Sequence, residues 1–239
     1  MYFRKLDWPL QIVSVTDASA ANSNSVYPYE GTFIAVMSMT TTENLTVDTS
    51  HLFGGYAHCM VATGKKSKRI CHSTSHGESL AFHGGMTTAE LLALRFTELM
   101  VVLHKPRLQN LMELFDAGDY VLPVHAVTDC KDLLDLITGA KGIPADRSQR
   151  LCVLSIREER LSGRCRVVSH VPTQIMIADC LTKIGTFPIM LRYLTCGHWN
   201  TDLSPYVHHS KKQLQITTRM IGERKNFTED DLMRLGDLD

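Results

Sequence analysis

Apolar and β-branched runs separated by polar segments predict three strands in the first part of the chain. The runs cover Gln11–Thr16, Gly31–Met39 and Gly55–Thr63, and residues that favour turns lie between them. The polar segment TTTENLTVDTSHL between the second and third runs is longer than a tight hairpin needs. We expect the second and third strands to be antiparallel neighbours of the first.

A long helix and two more strands follow. Apolar positions between Ser73 and Leu103 recur roughly on one helical face. Gly84 and Gly85 interrupt this helix and indicate either a kink or a close helix–sheet contact. Further strands are predicted at Val121–Thr128 and Arg164–His170. Shorter helices are predicted at 108–115, 130–138 and 146–161. The order β-β-β-α-α-β-α-α-β-α is typical of a mixed α/β domain.

The segment Val167–Lys183, VVSHVPTQIMIADCLTK, leads from the last strand into a helix. Pro172 breaks the strand. Thr173 is expected to cap the helix, because its hydroxyl can accept a free backbone N–H of the first turn. Asp179 lies among apolar residues of that helix. Since burial of an unpaired carboxylate is costly, we expect Asp179 to be half exposed or to have a charged partner.

Charge is balanced over the whole chain, which has 25 Lys and Arg and 25 Asp and Glu among its 239 residues. No global basic field therefore draws the chain to nucleic acid, and any such binding must come from a local patch. The dense basic cluster GKKSKR is either a solvated turn or a set of phosphate contacts. The candidate nucleic-acid-binding residues are Lys65, Lys66, Lys68 and Arg69.

The cysteine pattern and the N-terminus bear on the compartment. The seven cysteines include no CxxC pair, which argues against a zinc ribbon and a disulfide framework and favours a reducing compartment. The segment MYFRKLDWPLQ lacks the apolar core of a signal peptide. No apolar run approaches the length of a membrane span. We expect an intracellular protein of the cytoplasm or nucleus, not secreted and with no membrane partner.

Acidic residues recur at the ends of the predicted elements. Asp17 follows the first strand, Asp129 follows the fourth, and Glu78 lies near the first turn of the long helix. Taken alone, Glu78 could simply favour the helix dipole and Asp129 could simply cap a helix. In open α/β sheets, ligands gather beyond the carboxyl ends of the strands. The two aspartates therefore point to one crevice.

Four short motifs resemble the ribonuclease H domain of copia-type retrotransposon Pol polyproteins, a member of the ribonuclease H-like superfamily. They are VTDAS at Asp17, STSHGESLA at Glu78, VTDC at Asp129 and HVPTQIMIADCLTK at Asp179. The closing ADxLTK element is the most specific of the four. The resemblance extends over Gln11–Ile184, which is most of the chain.

The resemblance implies a ribonuclease H-like mixed five-stranded sheet flanked by helices, and an enzyme that hydrolyses the RNA strand of RNA–DNA hybrids. It also implies two Mg²⁺ or Mn²⁺ ions, with Asp17 bridging, Glu78 and Asp129 on one side and Asp179 on the other. Two metals about 3.5–4 Å apart can stabilise both the attacking and the leaving oxygen, and Mg²⁺ prefers hard carboxylate ligands. His170 is a weaker candidate, as a helper in protonation or product release.

A second glutamate competes with Glu78 for the family's helix position, because TAELLAL around Glu90 also resembles the family's helix motif. We prefer Glu78, since Glu90 lies three turns further along the helix and away from the carboxyl edge of the sheet. Glu90 and Glu98 are expected to be solvent-side charges.

The sequence before and after the predicted domain differs from the family pattern. No reverse-transcriptase sequence precedes it, so we expect a fragment, a separate reading frame or a domesticated remnant, with a reverse transcriptase acting in trans or upstream. The expected organisation is a lead-in over 1–10, the ribonuclease H-like domain over 11–184 and an extension over 185–239. We expect the extension to be partly flexible with a short terminal helix, and its first segment, FPIMLRYLTCGHW, is the part that can pack back on the domain.

Two alternatives to the active hybrid-specific nuclease stay open. The first is a catalytically silent ribonuclease H-like module that binds nucleic acid or protein without cutting. The second is another nuclease of the same fold, such as a junction resolvase or an integrase-like strand-transfer enzyme. A preference for duplex DNA over the hybrid would identify the second.

Overall fold

Six strands form one mixed sheet in the computed structural model of this chain, which describes residues 4–19, 27–39, 54–71, 73–101, 108–183 and 187–200. The strands are β1 (Leu10–Ser19), β2 (Tyr29–Ser38), β3 (Gly54–Lys66), β4 (Val124–Thr128), β5 (Cys165–His170) and β6 (His198–Asn200). Their order across the sheet is β5-β4-β1-β2-β3-β6. β2 is an antiparallel neighbour of β1, as expected, whereas β3 pairs antiparallel with β2 and not with β1. β4 and β5 extend the sheet in parallel from β1.

Helices cover both faces of the sheet. They are α1 (Thr74–Val101), α2 (Leu108–Ala117), α3 (Lys131–Thr138), α4 (Arg147–Leu161), α5 (Asp179–Thr182) and α6 (Phe187–Cys196). The mixed sheet flanked by helices confirms the expected fold class, with six strands rather than five. Among the described residues, no helix has the length and apolarity needed to cross a bilayer.

The central strand β1 divides its side chains between two apolar cores. Ile12 packs with Phe82 and Met86 of α1 on one face. Val13 and Val15 pack on the other face with the segment that leads into α5. A strand covered on both faces is apolar almost throughout its length, which explains the run QIVSV in β1.

A close helix–sheet contact explains the glycine pair in the long helix. α1 is continuous from Thr74 to Val101. A Cβ added at Gly85 would lie 2.3 Å from Thr16 Cγ2 and 3.0 Å from Ser14 Oγ, whereas one at Gly84 would meet no described residue within 4 Å. Gly85 therefore lets α1 lie directly against β1, which confirms the close helix–sheet contact as one reason for the glycine pair.

Two expectations for the helices are wrong. Apolar residues that recur on one helical face are expected to be buried, but two of them on α1, Leu91 and Leu99, are 55% and 71% exposed. The continuous helix predicted after Pro172 is instead a 3-10 turn at Thr173–Ile175 followed by the separate one-turn helix α5. Thr173 does not cap a helix, because its hydroxyl donates to Asp129 Oδ2 at 2.8 Å.

Residues after the predicted domain end add α6 and the sixth strand. β6 pairs antiparallel with β3. Trp199 is fully buried, and its indole N–H donates to the backbone oxygen of Ile175 at 3.0 Å. The Tyr193 hydroxyl donates to the backbone oxygen of Ala57 at 2.9 Å. The segment FPIMLRYLTCGHW thus packs back on the sheet. The division into 1–10, 11–184 and 185–239 stays a prediction, and the predicted terminal helix lies outside the described residues.

Candidate metal site

The strand register brings Asp17 and Asp129 to the same edge of the sheet. β1 and β4 are parallel, and their pairing aligns Val15 with Val127. Asp17 and Asp129 each lie two residues further along, so continuation of the same register sets them side by side. Asp129 follows β4, as predicted. Asp17 lies within β1, paired with Gly31 of β2, and not after the strand as expected.

The long helix supplies the third carboxylate from the opposite side of this edge. Glu78 lies early in α1, four residues after its start at Thr74. One carboxylate oxygen from each of Asp17, Glu78 and Asp129 lies within 4.8 Å of the other two. Asp17 and Glu78 are buried, at 1% and 5% exposure, and Asp129 is half-buried. Asp129 does not cap α3, because Cys130 occupies the N-cap position.

Burial and neighbouring negative charge favour the protonated forms of Glu78 and Asp129 when no cation is bound. Burial, together with the charges of Asp17 and Asp129, raises the pKa of Glu78 to about 9, although the backbone N–H of Ala18 stabilises the ionised form. Burial also raises the pKa of Asp129; the hydrogen bond from Thr173 opposes this rise and the charge of Asp17 adds to it. A cation bound between the three groups would relieve this repulsion.

The donor set fits a divalent metal ion. Glu78 Oε2 is buried and has no hydrogen-bond partner among the described residues. A buried polar atom without a partner is costly and rare in folded proteins. Three carboxylates supply the hard oxygen ligands that Mg²⁺ and Mn²⁺ prefer. Asp17, Glu78 and Asp129 could therefore hold one such ion, which would also use the orphaned oxygen.

The fourth acid lies beside this group but is paired with a lysine. Asp179 begins α5 and is 3% exposed. Its Oδ1 lies 2.7 Å from Lys183 Nζ, and the same nitrogen lies 3.3 Å from Asp17 Oδ1. Burial and the charge of Asp17 raise the pKa of Asp179 to about 7, against the opposing effect of Lys183. The expected charged partner of Asp179 is therefore Lys183. The structure does not bring Asp179 into the group of three acids.

Two glycines allow α5 to lie on the sheet at this place. Asp17, Gly31 and Gly64 form one row across β1, β2 and β3. A Cβ on Gly31 would lie 2.8 Å from the backbone oxygen of Ala178, and one on Gly64 would lie 2.4 Å from that of Leu181. Glycine within a strand often marks such a close backbone approach.

Sequence reasoning missed two side chains that α5 brings to Asp17. The Thr182 hydroxyl donates to Asp17 Oδ2, and Lys183 binds Asp17 Oδ1. The sequence does indicate a pairing of Lys183 with Asp179, because the two residues are four positions apart. That spacing brings opposite charges together on a helix. No sequence signal linked either residue to Asp17, which is more than 160 positions earlier in the chain.

The competing glutamate lies elsewhere on α1 and is buried, so the expectation of a solvent-side charge is wrong. Glu90 is 4% exposed and lies twelve residues after Glu78, about 18 Å along the helix. Burial, together with the charge of Glu159, raises its pKa to about 7. Glu98 is half-exposed and forms an ion pair with Arg95 at 2.6 Å.

We expect Glu90→Gln to stabilise the fold at high pH. The pKa of Glu90 in the folded chain, about 7, lies above its ordinary value of 4.5. The folded state therefore holds the Glu90 proton more tightly than the unfolded state does, and this contribution to the free energy of unfolding is complete below pH 4.5. That stability is lost as pH rises through 7. Glutamine carries no charge, so the advantage of the variant should grow by about 1–3 kcal/mol between pH 5 and pH 8. Urea unfolding at both pH values measures it, with Glu98→Gln as the control. A difference that does not change with pH would contradict the prediction.

His170 contacts the main chain of the site and not its carboxylates. It is the last residue of β5, and its register partner is Thr128. Its Nε2 lies 3.0 Å from the backbone oxygen of Asp129, which accepts a hydrogen bond from the ring. Its role in protonation or product release stays a prediction.

The basic cluster lies at the same edge of the sheet as the acids. Lys65 and Lys66 end β3 rather than lying in a turn, and Lys68 and Arg69 follow it; all four are exposed. Lys65 pairs with Glu30 at 3.6 Å, and Lys66 Nζ lies 5.4 Å from the centre of the Tyr27 ring. The cluster begins two strands from Asp17, a distance of about 10 Å at ordinary strand spacing.

Comparison with known proteins finds similarity among solved structures alone. No family model matches the chain, and no curated protein matches it. A ribonuclease H1 from the halophilic archaeon Halobacterium salinarum is 14% identical, with a TM-score of 0.41 over 72% of this chain and 93% of that one. The N-terminal ribonuclease H domain of a Mycobacterium tuberculosis protein, solved as a fusion with maltose-binding protein, is 12% identical, with a TM-score of 0.40 over 72% and 91%. LC11 ribonuclease H1, isolated from compost, is 13% identical, with a TM-score of 0.39 over 72% and 91%.

Proposed function

We propose that this chain is a metal-dependent ribonuclease that hydrolyses the RNA strand of RNA–DNA hybrids. The observation that carries the proposal is the meeting of Asp17, Glu78 and Asp129 within 4.8 Å at one edge of the sheet. Within the described part of the chain, the buried Glu78 Oε2 has no hydrogen-bond partner. The motifs around these residues resemble those of copia-type retrotransposon ribonucleases H, which supports the choice of substrate and a retrotransposon origin.

Each residue of the site has a task in this reaction. Asp17, Glu78 and Asp129 would hold the divalent ion, which supplies a Lewis acid for the phosphate and makes an attacking water more acidic. Thr173 fixes the carboxylate of Asp129 through its hydroxyl, and His170 fixes the backbone oxygen of the same residue. Rigid support of this kind holds the carboxylates in a productive geometry before the substrate binds.

The basic cluster gives the substrate a place to bind. Lys65, Lys66, Lys68 and Arg69 are exposed at the edge that carries the acids. Lys and Arg bind backbone phosphates and release counterions, without reading the base sequence. Recognition of the hybrid would rest on its shape and on its 2′-hydroxyl groups. A reverse transcriptase, in trans or upstream, is the partner that would produce such a hybrid.

One observation favours the silent binding module as a second candidate. Lys183 forms ion pairs with both Asp179 and Asp17, so a positively charged side chain already lies between these two carboxylates. A scaffold that binds a hybrid through the basic cluster and does not cut it would be compatible with this pairing.

The test is cleavage of a labelled RNA–DNA hybrid with Mg²⁺ or Mn²⁺, beside duplex DNA and duplex RNA, with Asp129→Asn as the inactive control. We expect cutting confined to the RNA of the hybrid and lost in the variant. Binding of the hybrid without cutting would support the silent module. Preferred cutting of duplex DNA would point to another nuclease of the same fold.

A further inference from the structure

Lys183 bridges two parts of the acidic site, which are Asp179 and the group of Asp17, Glu78 and Asp129. Its Nζ lies 2.7 Å from Asp179 Oδ1 and 3.3 Å from Asp17 Oδ1. Asp17 also belongs to the group that meets Glu78 and Asp129 within 4.8 Å. The ammonium group therefore lies between two buried carboxylates, one of which, Asp17, belongs to the group of three acids.

The backbone around Lys183 holds the ammonium at this place. Its N–H donates to the backbone oxygen of Asp179 at 2.8 Å, which closes the single turn of α5. That turn lies against Gly31 and Gly64, where the sheet leaves no room for a Cβ. The Lys183 side chain is 37% exposed, while the carboxylates of Asp17 and Asp179 are almost fully covered. The contact thus belongs to the packed fold and not to a free surface side chain.

A lysine ammonium is suited to this position. It is a compact point charge with three donors, and each of two carboxylates can accept one of them. Two carboxylates that share a site repel each other unless a cation lies between them. A metal ion could supply that cation, but Lys183 already does so from within the chain.

We infer that Lys183 is a resident cation that occupies the position between Asp17 and Asp179 where a second divalent ion would otherwise bind. The chain then binds one divalent ion, at Asp17, Glu78 and Asp129. This inference rests on the proposed metal site, and it replaces the two ions that the family resemblance implies. Lys183 acts as a positioning residue, because it orients Asp17 and balances the charge of Asp179.

The experiment counts bound Mn²⁺ per full-length chain without nucleic acid, by calorimetry and by electron paramagnetic resonance of the free ion. The variants are Lys183→Met, which removes the charge, and Lys183→Arg, which keeps it. Lys183→Gln repeats the loss of charge with a hydrogen-bond donor retained, in case the methionine variant folds poorly. Lys141→Met is the matched control, because Lys141 also contacts two aspartates, Asp132 and Asp135, on α3.

We expect one ion in the wild-type chain, in Lys183→Arg and in Lys141→Met, and two ions in Lys183→Met and Lys183→Gln. Adding Asp179→Asn to Lys183→Met should return the count to one. Two ions in the wild type, or one ion in both uncharged variants, would overturn the inference while leaving the proposed nuclease in place. No ion in the wild type would overturn the inference and the proposed metal site together. The expected counts without cleavage of a hybrid would overturn only the nuclease.

Discussion

Asp17→Asn should abolish cleavage of the RNA–DNA hybrid, with a loss of about 10³-fold or more in turnover. A carboxylate oxygen of Asp17 lies within 4.8 Å of one from Glu78 and one from Asp129, and Asp17 also accepts a hydrogen bond from Lys183. Removing its charge weakens the metal site by several kcal/mol, and about 1.4 kcal/mol corresponds to a factor of ten in rate. Single-turnover cleavage of a labelled hybrid measures the loss.

Folding should be nearly unchanged in this variant, because asparagine has the same shape and can still accept from Thr182, which donates to Asp17. Asp135→Asn is the matched control: Asp135 lies 3.5 Å from Lys131 and 4.0 Å from Lys141 but belongs to α3, outside the group of three acids. The control should keep full activity. Wild-type turnover in Asp17→Asn would remove Asp17 from the catalytic site.

Glu78→Gln should lose the bound ion and at least about 10²-fold in turnover, whereas Glu90→Gln should keep both. The two residues form a matched pair, because both lie on α1, both are buried and both have a carboxylate oxygen that finds no hydrogen-bond partner in the described ranges. Burial raises the pKa of each. They differ in surroundings, since Asp17 and Asp129 act on Glu78 and Glu159 acts on Glu90.

Cleavage rate and Mn²⁺ affinity, measured on both variants at one pH, separate the two glutamates. Because either substitution removes one buried carboxylate from the same helix, a general effect of burial would appear in both variants. The opposite pattern, with Glu90→Gln inactive and Glu78→Gln active, would place the metal site further along α1 and away from the edge that carries Asp129.

The parts of the site that local sequence determines were predictable. Asp129 directly follows an apolar strand, and a residue in that position lies at the edge of the sheet. This placement depends on the local sequence and not on contacts with distant segments. Asp17 differs from the expectation by two residues, because its strand continues through Ala18 and Ser19. Glu78 could be placed early in α1 because turn-forming residues mark where that helix begins.

The remaining features depend on contacts between distant segments. Periodicity cannot reveal α5, because a helix of four residues is only about one turn long. Glu90 resembles a surface charge in sequence, and only the packing of α1 against its neighbours buries it. Lys183 could be paired with Asp179 from their spacing, but its contact with Asp17 requires the folded sheet. β6 pairs with β3 beside a core in which Trp199 and Tyr193 are buried against residues of distant strands.

Gly31 and Gly64, which lie beneath α5, make the site vulnerable to a substitution that alters no ionisable group. A single methyl group at Gly64 would occupy space already filled by the backbone oxygen of Leu181, and backbone cannot move aside as a flexible side chain can. The helix would have to rise from the sheet, carrying Asp179 and Lys183 away from Asp17 together. A lineage of this protein could thus become silent through one substitution to alanine while its acids all remain in the sequence. The presence of all the acidic residues in its sequence would then wrongly predict that such a relative is active.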